Sequence, residues 1–118
     1  MKLDQKVVDS IFRELLEENS KRYRQLLDKP GNNDNDGDTY SRARNALAKL
    51  SEKEKEFVFS FIDMAIADSA SVIFGTLDGV YFPDGIEDDF IVTYKNEEIQ
   101  GSLQDIFIEK AEDKGIYK

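Results

Sequence analysis

Cysteine, histidine and tryptophan are all missing from this 118-residue chain, and proline occurs only twice. Without cysteine there is no disulfide framework, no thiolate nucleophile and no sulfur-ligated metal. Without histidine, a Ser-His-Asp triad, a His-activated nucleophile and the usual zinc sites are excluded. What remains for catalysis is carboxylate chemistry, with or without Mg²⁺ or Ca²⁺, and Lys or Tyr as acid or base. The seven glycines are scattered, and neither G-x-G-x-x-G nor G-x-x-x-x-G-K occurs, so no phosphate-cradling loop is present. The chain therefore reads as a non-enzymatic protein without a cofactor, a Mg²⁺-dependent carboxylate activity being the residual alternative. No segment approaches the ~18 uninterrupted apolar residues of a membrane span. The opening MKLDQKVVDSIF lacks the apolar run of a secretory signal. A cytoplasmic protein of bacterial type, with no membrane partner, is expected.

Positive charge is scarce where negative charge is dense. The formal net charge is -9, and residues 78–118 carry eleven acidic but only four basic groups. A field of that sign repels nucleic acid and anionic lipid and favours cations or a basic protein surface. Nucleic acid is thus not an expected partner. The local cluster Lys21, Arg22 and Arg24 reads as solvated charge near a helix C-terminus. With 40% hydrophobic and 11% aromatic residues, the chain has the material for one core and one domain, residues 1–118.

Residues 5–28 place Val8, Ile11, Phe12, Leu15, Leu16, Tyr23, Leu26 and Leu27 at the spacing of one helical face. Asp4 is the expected N-cap, and Lys29-Pro30-Gly31 the expected stop. A second, shorter stripe follows in Tyr40, Ala43, Leu47 and Leu50, and Ser51 with Glu54 forms a capping box that starts a third helix. In that helix, residues 52–77, Phe57, Phe61 and Val72 point one way while Val58, Phe59, Ile62, Ile66, Ile73 and Leu77 fill much of the opposite arc. The polar remainder, Ser60, Asp63, Ser71 and Asp78, gathers on one narrow side. A helix apolar in most directions is expected to lie buried at the centre of a domain.

FIVTY, residues 90–94, alternates like a strand, KNEE turns the chain and EIQG returns it, giving a short hairpin. Val80-Tyr81-Phe82 reads as a further short strand. Ser102 caps a last helix whose inner face is Leu103, Ile106, Phe107 and Ala111, and Gly115 with Ile116 fits a glycine C-cap. The expected fold is mainly α with a small antiparallel β-hairpin (α+β), about four helices around a buried central helix.

Three places carry candidate sites. NNDNDGDTY, within the flexible Asn/Asp-rich loop 29–38, resembles half of a calcium loop: Asn32, Asp34 and Asp36 fall at positions 1, 3 and 5, with Gly37 at position 6. Position 12 is Ala43, which has no oxygen to offer in place of the bidentate glutamate. A polar linker with Asp38 or Thr39 as N-cap explains the stretch better, leaving Asp34, Asp36 and Asp38 as weak metal candidates. Asp68 shares a face with Phe57, Phe61 and Val72, and is expected as a buried carboxylate in need of a partner. Lastly, LDGVYFPDGIEDD gathers Asp78, Asp84, Glu87, Asp88 and Asp89 beside Tyr81 and Phe82, a surface suited to a basic protein.

Function is accordingly expected to be protein binding, of the kind an immunity protein, antitoxin or inhibitor performs, with the acidic C-terminal third facing a basic partner. A homodimeric structural or regulatory protein, using an apolar face of the third helix left uncovered, is one alternative. A divalent-cation sensor built on residues 32–38 is another.

Overall fold

The structure, a computed structural model, describes residues 2–29 and 37–118. Helix α1 (Leu3–Phe12) runs through a π-helical stretch (Arg13–Asn19) into α2 (Ser20–Leu27), so the three form one continuous rod. Then come α3 (Thr39–Leu47), the long α4 (Glu52–Leu77), a hairpin of β1 (Thr93–Tyr94) and β2 (Glu97–Glu98), and α5 (Leu103–Asp113). The fold is the mainly helical one expected, four helical rods and one small antiparallel sheet.

The π stretch sets the register of the first rod. In an α-helix a step of four residues overshoots one turn by ~40°, so Val8, Phe12, Leu16 and Ser20 would drift off any one face. The wider i→i+5 turn takes up more residues and cancels the drift. All four side chains are buried as a result. Val8, Phe12 and Leu16 meet Ala67, Ala70 and Phe74 of α4, Leu103, Phe107 and Ala111 of α5, and Ile99 beside the hairpin in the main core. Phe107, 0% exposed, stands at its centre, its ring 5.4 Å from those of both Phe12 and Phe74. Burial of each such ring contributes roughly 1.5–3 kcal/mol. A second, smaller cluster of Leu27, Leu47 and Phe59 joins α2, α3 and the start of α4.

Local signals place most helix ends. Ser51 Oγ accepts from the Glu54 amide at 3.1 Å while the Glu54 carboxylate accepts from the Ser51 amide at 2.9 Å, the capping box of α4. Asp38 caps α3 by accepting from the Ser41 amide at 2.9 Å. Gly115, at φ 74°, closes α5 with Ile116 N–H donating to Ala111 O, and Ile116 packs against the core. Gly79, at φ 77°, ends α4 in the same way, Val80 N–H donating to Gly75 O.

Four expectations are corrected. Lys2, not Asp4, is the N-cap of α1; Asp4 lies inside the first turn, where its carboxylate accepts from the Gln5 amide and suits the helix dipole. Val80-Tyr81-Phe82 forms no strand, because two of its amides, Val80 and Tyr81, are spent on the Gly75 carbonyl at the end of α4. The hairpin strands are two residues each, joined by Lys95 and Asn96, both at positive φ in a two-residue turn. Finally, Ser102 occupies the N-cap position of α5 without a side-chain cap bond. The donors there go to Asp78, whose carboxylate accepts from the amides of Gly101 (2.7 Å), Leu103 (3.1 Å) and Gln104 (2.8 Å). The C-terminus of α4 thus caps the N-terminus of α5, an anion at the positive end of a helix.

Candidate functional site

Helix α4 takes the expected span and central place, but neighbours cover it on one side only. The covered side carries Phe59, Ala67, Ala70, Phe74 and Gly75, all buried. It also carries the helix's polar strip. Asp63 accepts from Ser20 Oγ at 2.6 Å and pairs with Arg24 at 3.4 Å, and Arg24 in turn bonds Glu56 at 2.7 Å and lies over the Phe59 ring. The Ser71 carbonyl accepts from the Gln104 side chain at 3.0 Å, and Asp78 caps α5. The carboxylates of Asp63 and Asp78, which a solvated helix would turn outward, are here turned inward, each with specific partners.

The apolar arc faces out. Phe57 is 63% exposed, Phe61 68%, Val72 49% and Ile73 60%, with Ala65 and Ser69 open between them. Val80, Tyr81 and Phe82, also exposed, continue directly from the helix end. Beside this arc runs a groove of about 440 Å³ between α1 and α4, with Ile11 and Leu15 on one bank and Ile66, Ser69, Ile73 and Leu77 on the other. Its lining includes no titratable side chain. The two hydroxyls of the arc are already satisfied: Ser69 Oγ donates to Ala65 O and Thr76 Oγ1 to Val72 O, both at 2.8 Å. Covering this face would therefore orphan no donor. Scattered exposed apolar residues are ordinary on a protein surface, whereas a contiguous face of large ones marks an interaction site.

Helix α4 is also long and apolar enough, by length and composition, to cross a membrane. Its other side argues against that use. Crossing would pull Phe74 out of the core, break the Asp63–Arg24 pair and remove the cap of α5.

The candidates expected from sequence fall out as follows. Asp68 is exposed rather than buried, because the face it shares with Phe57, Phe61 and Val72 is the uncovered one. It stands near Tyr117, whose phenol burial and then the Asp68 charge hold above its ordinary range, the Ser71 side chain acting in the opposite sense. Asp78 is half-buried and committed to the amides of α5. Asp84, Glu87, Asp88 and Asp89 are exposed together with Tyr81 and Phe82, and none of the four carboxylates has an ion-pair partner among the described residues. Asp34 and Asp36 lie outside the described residues, as does most of the 29–38 loop. Asp38 is occupied as a cap, and the Ser41 amide holds its carboxyl below the usual range. Among the described residues no three carboxylates converge as a metal-binding group.

What sequence reasoning missed is the orientation of α4. The signal was there in the clustering of Asp63, Ser71 and Asp78 on one narrow side, since three such residues on a largely apolar helix are either its solvent edge or its bonded interior edge. Comparison with protein-family models, with curated proteins and with solved structures returns no match.

Proposed function

We propose that this chain is a soluble, cytoplasmic, non-catalytic protein-association module whose docking surface is the uncovered face of α4. The observation that carries the reading is the inversion of that helix: polar groups bonded inward, and Phe57, Phe61, Val72 and Ile73 open to solvent with the intervening hydroxyls self-satisfied. Leaving such a face bare would invite nonspecific association, so a specific cover is the economical explanation. A second reading, an acidic surface offered to a basic protein, draws on Asp84, Glu87, Asp88 and Asp89, exposed and without counter-charge among the described residues.

The two readings separate by variant. Association, measured for the purified chain by sedimentation and for cell extract by affinity capture, should be lost in Phe57→Ser/Phe61→Ser. Truncating central aromatic anchors typically costs 2 kcal/mol or more, roughly 30-fold in affinity. Glu87→Gln/Asp88→Asn/Asp89→Asn should bind with at most a several-fold loss, because rim charges mainly set encounter rate. The reverse ranking would transfer the docking surface to the acidic segment.

A further inference from the structure

We infer that the cover of this face is a second copy of the same chain, laid antiparallel along α4. The inference rests on the association reading above and names its partner. Val58, Ile62, Ala65, Ser69, Val72 and Thr76 follow one another at alternating steps of four and three along α4, the spacing of a helix-pairing seam. Ala65, Ser69 and Val72 are exposed, Thr76 is half-buried, and Val58 and Ile62 are half-buried with one side against the second cluster. In an antiparallel pair Ala65 meets Ser69 of the second copy, Ile62 meets Val72 and Val58 meets Thr76. The small pair lies in the middle, where two helices must approach most closely.

Area and charge both point to a second copy in this direction. Taking ~200 Å² for a whole aromatic side chain, the exposed apolar groups of α4 with Ile11 leave on the order of 500 Å² open. Val80, Tyr81 and Phe82 bring this towards the ~800 Å² each partner gives to a standard stable interface. A parallel pair would set two acidic C-terminal thirds side by side. An antiparallel pair separates them and brings each alongside the start of the other α4. There Lys49 and Lys53 have no ion-pair partner among the described residues, and neither do Asp84, Glu87 and Asp88 at the far end. Glu52, Glu54 and Glu56 alternate with these lysines but are each engaged within the chain, by Lys55, the Ser51 amide and Arg24, so Lys49 and Lys53 are the cations each copy can offer the other's carboxylates.

Sedimentation velocity of the full-length chain over a concentration series should show 13.5 kDa monomers passing into dimers. Phe61→Lys should remain monomeric at concentrations where wild type is dimeric, with an unchanged circular dichroism spectrum. Asp68→Asn should dimerise several-fold more tightly, because the two Asp68 carboxylates flank the twofold axis. Since the chain has no cysteine, introduced thiols report the direction. Val58→Cys mixed with Thr76→Cys should form a mixed disulfide, and neither variant alone should cross-link. In the antiparallel pair the two residues 58 lie ~27 Å apart, eighteen residues at 1.5 Å each, far beyond disulfide reach.

Cross-linking of Val58→Cys with itself would overturn the direction. A wild type that stays monomeric throughout would overturn the second copy. The association reading would then survive only if Phe61-dependent capture of another protein persisted, and would fall without it. Phe61-dependent binding of the monomer to phosphatidylcholine vesicles would overturn both in favour of a lipid surface.

Discussion

On the covered side of α4, Phe59, Ala70 and Phe74 lie among Asp63, the Ser71 carbonyl and Asp78, and each of those three polar groups is bonded to a neighbouring element, Asp63 to α2 and the other two to the start of α5. On the uncovered side, Phe57, Phe61, Val72 and Ile73 are joined by hydroxyls that bond only to their own helix. The first side is specific because its polar groups have one arrangement that satisfies them. The second is adaptable, asking of a partner only shape. Within one helix, then, the side made of mixed chemistry holds the fold, and the more uniformly apolar side remains for association.

The comparison breaks most sharply under truncation. Phe74→Ala should cost about 3–5 kcal/mol by chemical denaturation, since its buried ring packs on Phe107 in the main core. Phe61→Ala, the same chemical change on the other side, should alter the stability of the dilute monomer by no more than about 0.5 kcal/mol. Equal losses would mean that the outer face is covered within the monomer.

A smaller effect sharpens the role of the polar strip. Asp78→Ala leaves three amides at the start of α5 without their acceptor and should cost about 1–2 kcal/mol. Asp78→Asn keeps an acceptor and should restore part of that loss. Amide exchange should accelerate first at Leu103 and Gln104. An unchanged exchange pattern there would show that solvent replaces the carboxylate without cost.

The smallest effect is with pH. The Ser51 amide holds the Glu54 carboxyl below its ordinary range, as the Ser41 amide does for Asp38. A carboxyl lowered in the folded state contributes stability that is complete above its unfolded value and is lost as pH falls towards the folded one. Acidification through the ordinary carboxylate range and below should therefore fray the starts of α3 and α4, seen as faster Ser41 and Ser51 amide exchange, before the main core opens. Glu54→Gln should remove the pH dependence at Ser51.

Much of the fold was legible because it is local. The capping box of Ser51 and Glu54, the Asp38 cap, the Gly115 stop and the hairpin around Lys95 and Asn96 each depend on residues within a few positions of one another. The Ser102 expectation failed for the complementary reason: its donors are taken by Asp78, more than twenty residues away, a contact no local pattern encodes. The face of α4 was misread at Asp68 because periodicity measures how apolar each arc is, not which arc the neighbours occupy. Phe57, Phe61 and Val72 suit a core as well as an interface. Only the position of α1 and α5 decides between them.

The π-helical stretch carries a further consequence, for the lengths of chain this fold can accept. Arg13, Glu14, Glu17 and Glu18 are exposed, so replacing any of them should matter little to the core. Removing one residue is tolerable too if the stretch rewinds as ordinary helix, because a wide turn holds about one residue more than an α turn for nearly the same rotation, and Val8 and Phe12 then keep their bearing relative to Leu27. Adding a residue without widening the stretch further would instead rotate them by roughly 100°, so that the two clusters could no longer both be filled from one rod. The segment is permissive in composition and, by one residue, in count, so related chains would carry it either as this wide turn or, one residue shorter, as plain helix.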